Sequence, residues 1–337
     1  MRAVILRAML TAGAALCLLA RVSVAQAPYI ESDSALLARV QWAFPGQSKD
    51  LPGAKPPFDS VTPLHLPKST RTFTMAQAKN VNAPPDWYPR AHAPMPASVA
   101  QGQKGRVWAC GYCHLPDGQG RAENAVLAGL PAAYIEQQVA AMRAGSRHSA
   151  VATYGPSIRM RDAADSATTR EVYAAARYFS RMRAKPRFAV LERGFFPATY
   201  EAGGLYSVRA GADSQPLGQR IIEIADDLER HELRDAQATF TAYVPVGSVA
   251  AGRRIAHGKA NAPTTCVTCH GPALRGLGVA PPIAGRGVTY LFRQLIGFRT
   301  GARGGAASAT MQKVVAGLSV DDMIAVAAYA GSLRPSR

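Results

Sequence analysis

Two short clusters carry the chemistry of this chain: Cys110-Gly111-Tyr112-Cys113-His114 and Cys266-Val267-Thr268-Cys269-His270. The Cys-x-x-Cys-His spacing is that of covalent haem attachment. Each thiol adds across a haem vinyl group to form a thioether, and the adjacent histidine turns its imidazole to the iron. Cys110, Cys113, Cys266 and Cys269 are therefore read as the attachment points of two covalently bound haems c, with His114 and His270 as axial ligands. A thioredoxin-like redox pair needs no histidine after its second cysteine. A zinc site would need all four cysteines to converge, and the duplication that surrounds them argues against that.

The elements that position these residues occur twice. From the first motif onward one constant offset superimposes Cys110, Cys113 and His114 on Cys266, Cys269 and His270. It also places Ala128-Gly129 on Ala284-Gly285, Tyr134 on Tyr290, Gln138 on Gln294, and Gly145 and Arg147 on Gly301 and Arg303. After a loop of different length, Met160 matches Met311 and Tyr178 matches Tyr329. Such self-similarity marks one structural unit used twice. Each unit reads as three helices around a loop-rich pocket. The first helix begins near Ser98 or Ser248 as N-cap. The middle one spans Pro131 to Arg143 or Val288 to Arg299, with Pro131 suited to a first turn. The last spans Thr168 to Met182 or Val320 to Leu333. Asp321 and Asp322 fall in its first turn, where the helix dipole favours negative charge.

A low-spin electron-transfer haem takes a second axial ligand, and a methionine thioether raises its potential. Of nine methionines, Met160 and Met311 alone correspond under the repeat, in matched loops, each preceding the last-helix tyrosine by the same interval. They are the expected axial ligands, with His148 a rival in the first unit. Tyr134, Tyr290, Tyr178 and Tyr329 either meet the haems and their propionates or form helix contacts. Arg147 and Arg303 either pair with propionates or stand in solvent.

The N-terminus reads as a secretory signal: basic Arg2 and Arg7, an apolar run from Ala8 to Ala20, then small residues before an expected cleavage after Ala25. Cys17, the one cysteine outside the motifs, lies in that segment and follows Leu16, which is too large for a lipoprotein site. The expected location is periplasmic. The net charge of +17 includes Arg2, Arg7 and Arg21 of the signal. It favours acidic partners or an anionic membrane face, and export removes nucleic acid as a partner. The expected organisation is a signal at 1–25, a proline-rich irregular arm at 26–95, a haem domain at 96–183, a connector at 184–245 and a second haem domain at 246–337. The connector shows β-like runs at Arg187–Leu191, Gly218–Ile224 and Ala238–Val244. Its six carboxylates between Glu223 and Asp235 mark either a solvated link or a docking surface.

Cys-x-x-Cys-His, then Ala-Gly, then Tyr-x-x-x-Gln with Gly-x-Arg, then methionine before a Tyr-bearing helix, resembles two-domain dihaem cytochromes c of the cytochrome c4 type. The resemblance covers about 98–183 and 248–335. It implies a mainly α fold of two tandem class I cytochrome c domains. It also implies a periplasmic electron carrier between a dehydrogenase and an acceptor such as a terminal oxidase or another cytochrome. The family has a proline before Ala-Gly whose carbonyl orients the proximal histidine. Pro281 matches it, and Ala125 takes its place in the first unit. Alternatives are a dihaem peroxidase or sulfur-compound oxidoreductase, or a haem subunit of a membrane-bound dehydrogenase.

Overall fold

The computed structural model describes residues 33–46, 59–258 and 265–335. The expected signal, Cys17 and part of the proline-rich arm lie outside them. The arm's described residues carry short elements: α1 (Asp33–Arg39), the paired strands β1 (Leu64–His65) and β2 (Thr72–Phe73), and α2 (Met75–Ala78). These residues are not an irregular surface lead. Leu36, Val40 and Phe44 enter the main core, and Trp87 is 2% exposed in a satellite cluster with Leu233.

The first haem unit comprises α3 (Ala97–Ala100), α4 (Cys110–His114), α5 (Ala132–Arg143), α6 (Gly155–Ser166) and α7 (Thr169–Ser180). The connector follows as β3 (Phe188–Glu192), β4 (Phe195–Phe196), β5 (Thr199–Ala202), β6 (Leu205–Val208), β7 (Gln215–Pro216), β8 (Ile222–Ala225), α8 (Leu228–Glu232) and β9 (Phe240–Val244). The second unit has α9 (Ser248–His257), α10 (Cys266–His270), α11 (Val288–Arg299), α12 (Ala309–Ala316) and α13 (Val320–Ser332). Among the described residues no single helix is long and apolar enough to cross a membrane.

The connector is larger than its three expected strands. Five strands form a mixed sheet in the order β3-β9-β8-β6-β5, with β3 parallel to β9 and β8 antiparallel to it. β5 and β6 pair across Gly203-Gly204, both at positive φ, in a two-residue hairpin turn. The acidic stretch is not one solvated face: Glu223 is 3% and Asp235 1% exposed.

The helix boundaries follow local chemistry. Both last helices open with a capping box. Thr168 accepts from Glu171 N while Glu171 accepts from Thr168 N, and Ser319 and Asp322 repeat the exchange. Each box satisfies two amide groups that a helix start leaves unpaired. Asp322 thus serves as a cap besides its charge at the helix dipole. Ser98 and Ser248 are not the caps: Pro96 and Gly247 hold those positions, and both serines lie buried in the first turn. Pro131 is likewise the N-cap and not a first-turn residue. The first helices differ in length, since α3 ends after one turn whereas α9 continues and crosses α13. At that crossing a Cβ on Gly252 would stand 1.9 Å from Ala325 O, so only glycine permits the approach.

Candidate haem sites

Both attachment motifs form one short helix followed by the same backbone path. Gly120 N donates to His114 O at 2.9 Å, and Gly276 N to His270 O at 2.8 Å. Leu127 and Ala128 donate to Gly118 O, and Ile283 and Ala284 to Leu274 O. The path needs left-handed backbone three times, and Gly120 and Gly276 supply the last of them. Residue 115 or 271 supplies the first instance and residue 118 or 274 the second, with one leucine and one glycine in each unit. Leu115 (φ 63°) and Leu274 (φ 55°) accept a conformation costing about 1 kcal/mol or more without glycine, and both are fully buried.

This path brings a carbonyl to each histidine. His114 Nδ1 lies 2.9 Å from Ala125 O, and His270 Nδ1 2.8 Å from Pro281 O. A carbonyl only accepts, so Nδ1 carries the proton and Nε2 is left with its lone pair for a metal. Replacing proline by alanine at 125 preserves the contact because the acceptor is backbone. Burial pushes both imidazoles below their ordinary range, against the opposing pull of the carbonyls. A neutral imidazole is the ligating form. None of the four motif cysteines is in a disulfide, and burial pushes the Cys110 thiol up to about 12. Among the described residues no group of three or more His, Cys, Asp or Glu side chains has a metal-holding arrangement, so the cysteines do not converge on one zinc.

A cavity of about 220 Å³ lies against the first motif. Cys110, Cys113, His114 and Met160 all line it, and so do Met142 and His148. Met160 sits within α6 and Met311 within α12, so the matched methionines are helical and not in loops. Met311 packs half-buried against the main core. His148 is exposed, with Nδ1 near Ser149 O at 2.9 Å.

The repeat-matched polar residues meet each other. Arg147 and Arg303 form an antiparallel backbone bridge between the units, flanked by His148 N to Ala302 O and Gly304 N to Ser146 O. Arg303 donates to Tyr134 OH (2.6 Å), Gln138 Oε1 (3.0 Å) and Gln294 Oε1 (3.1 Å). Arg147 reciprocates with Gln138 Oε1 (2.7 Å), Gln294 Oε1 (3.1 Å) and Tyr290 OH (3.5 Å). Arg303 is 9% exposed and therefore not a solvated side chain. Arg286, also buried, donates to Val126 O and Ala128 O of the first unit. Burial would raise Tyr290, but Arg147, Arg303 and Arg286 outweigh it and hold the phenol below its ordinary range. Tyr178 and Tyr329 have other roles: Tyr178 OH meets Pro116 O and His92 Nδ1, and Tyr329 OH meets His257 Nε2.

These residues fit a haem. The first cavity holds two thiols, an oriented imidazole and a thioether. Arg303 also lines it, and buried Arg303 Nε has no partner among the described residues. Donors of that kind suit anionic propionates.

No model of a known protein family matches the chain. It is 34% identical over 158 residues to a thiosulfate dehydrogenase electron acceptor from Stutzerimonas stutzeri, covering 43% of this chain and 68% of that one. It is 39% identical over 69 residues to cytochrome c-554(548) of Halomonas halodenitrificans, covering 20% of this chain and 83% of that one. Among solved structures, the thiosulfate dehydrogenase TsdBA of Marichromatium purpuratum aligns at 26% identity and TM-score 0.45 over 69% of this chain, which spans 38% of that one. Cytochrome c4 of Pseudomonas stutzeri aligns at 21% identity and TM-score 0.43, over 67% of this chain and 93% of that one. Fold and motifs define a c-type cytochrome. The chain belongs to that family and carries its attachment motif twice, at 110–114 and 266–270.

Proposed function

We propose that the chain is a periplasmic electron carrier with two covalent haems. In this reading it accepts electrons from a dehydrogenase, with a thiosulfate dehydrogenase as first candidate, and passes them to a terminal oxidase or another cytochrome. The carrying observation is the matched pair of imidazoles, each held through Nδ1 by a carbonyl eleven residues downstream. Haem c, when bound, supplies one-electron exchange between ferric and ferrous iron. The chain's own residues do the rest. Cys110, Cys113, Cys266 and Cys269 tether; His114 and His270 present Nε2; Met160 and Met311 supply thioethers that favour the reduced state. The Arg147–Arg303 cluster offers fixed cations to propionates, so little reorganisation accompanies electron transfer between the units. The 34% identity to a protein named as a thiosulfate dehydrogenase electron acceptor supports the choice of donor. The signal at 1–25 and the two-domain division at 96–183 and 246–337 belong to the same proposal, and peripheral membrane contact is compatible with the basic charge.

The test is to mix the oxidised holoprotein with a thiosulfate dehydrogenase and thiosulfate. Reduction of both haems, dependent on the enzyme, is expected. One observation favours a second reading: Met142 and His148 line the same cavity as Met160, as an exchangeable distal ligand in an enzyme would require. Peroxide turnover, or thiosulfate oxidation by the chain alone, would replace the carrier reading by that one.

A further inference from the structure

The connector is not part of the repeat, yet it inserts two buried arginines into the first haem unit. Arg187, 4% exposed, donates through Nη1 to Gly120 O at 2.8 Å and Gln119 O at 3.2 Å, and through Nε to Ala238 O at 2.6 Å. Gly120 is the residue whose N–H holds His114 O. Arg234, 8% exposed, donates to Tyr112 O of the attachment helix at 2.7 Å and to Ala78 O of the arm at 3.0 Å. Its guanidinium lies 3.4 Å from the Tyr112 ring centroid. Arg234 also holds φ at 57°, a left-handed conformation that a side-chain residue adopts at a cost glycine avoids.

Among the described residues these two cations donate only to carbonyl oxygens. The neighbouring carboxylates already have cations of their own: Asp235 pairs with Arg230 at 2.6 Å, Glu123 with Arg121 at 3.0 Å, and Asp117 with Lys185 at 2.7 Å. The second motif is built differently. Thr268 stands where Tyr112 does in the first; it is exposed, and its hydroxyl meets that of Thr265 at 2.8 Å.

We propose that Arg187 and Arg234 are positioning residues of the first haem that also raise its reduction potential above that of the second, so that electrons run from the second unit to the first. A fixed positive charge in a poorly solvated site disfavours ferric iron, which carries one more positive charge than ferrous. The cover of connector and arm over Tyr112 excludes water and acts with the same sign. The donor then docks at the second unit, and the acceptor draws from the first. Burial lowers Arg187 only to about 10, so it stays charged at neutral pH.

This inference rests on the dihaem carrier reading. Its test is spectroelectrochemical titration of the holoprotein and its Arg234→Gln, Arg234→Lys and Arg187→Gln variants. The two components are assigned with Met311→His, which lowers the second haem alone. The first haem is expected to be the higher component. Arg234→Gln should lower its ferrous-to-ferric ratio at fixed potential about tenfold, which is about 59 mV for one electron. Arg187→Gln should act in the same direction and serves where Arg234→Gln does not fold. Arg234→Lys should keep most of the potential, because the charge remains. A first haem that is the lower component overturns the inference. So does a shift shared equally by both haems, or a loss in Arg234→Lys as large as in Arg234→Gln. A chain that takes up fewer than two haems sinks the carrier reading and this inference with it. Two haems with unmoved potentials sink the inference alone.

Discussion

Glu223 offers the sharpest test of how the connector is held to the second unit. Its side chain is buried in β8 and faces the start of α11, where Oε2 accepts from Val288 N at 2.7 Å and Thr289 N at 3.4 Å. Oε1 has no partner among the described residues. Burial pushes the carboxyl up from 4.5 to about 7, against the pull of Arg293 and the two amides. The folded state therefore holds a proton that the unfolded chain releases between pH 4.5 and 7, and stability falls as pH rises through that window. At about 1.4 kcal/mol per pH unit, the cost of ionisation is on the order of 3 kcal/mol above pH 7. Glu223→Gln removes the titration and keeps a neutral acceptor for Val288 N, as the protonated carboxyl does. The variant should thus stand within about 1 kcal/mol of the parent at pH 5 and exceed it by roughly 3 kcal/mol at pH 8. Urea unfolding of both holoproteins at pH 5, 6, 7 and 8 measures the gap. A gap that stays constant or reverses with rising pH would mean that the helix amides and Arg293 outweigh burial, and the reasoning would fail.

Two further outcomes follow from the site. Arg303→Met deletes three hydrogen bonds from a charged donor and strips Tyr134 of one. Stability should drop by about 3 kcal/mol, read as an earlier urea midpoint, while a drop under about 0.5 kcal/mol would assign the cluster to a solvated surface. Met311→Ala should abolish low-spin His–Met ligation at the second haem and lower its potential, and an unchanged spectrum would show that Met311 is not the ligand.

The c-type cytochrome class was legible because five consecutive residues carry its motif, with no dependence on tertiary packing. The repeat carried the next level. It singled out Tyr134, Tyr290, Gln138, Gln294, Arg147 and Arg303, but only packing shows that the six meet across the units and that the arginines are buried. The capping boxes at Thr168–Glu171 and Ser319–Asp322 were present as a side-chain pattern, whereas Ser98 and Ser248 misled. A serine within the first turn looks the same in sequence as one that caps it. The hairpin at Thr199–Val208 carried a signal in Gly203-Gly204 between β-prone residues, which a two-residue turn requires. The structured arm did not: its prolines hide short elements whose stability comes from contacts with distant segments, such as Trp87 Nε1 to Leu233 O at 2.8 Å. Arg187 and Arg234 were equally hidden, since nothing local distinguishes an arginine that grips a distant carbonyl from one in solvent.

The most direct test of two His–Met haems is the near-infrared spectrum of the fully oxidised holoprotein, quantified per chain against total haem iron. Two methionine-to-ferric charge-transfer bands per chain are expected, one lost in Met160→Ala and the other in Met311→Ala. A single band, or a high-spin first haem in the parent protein, would contradict the carrier and leave the enzyme in its place.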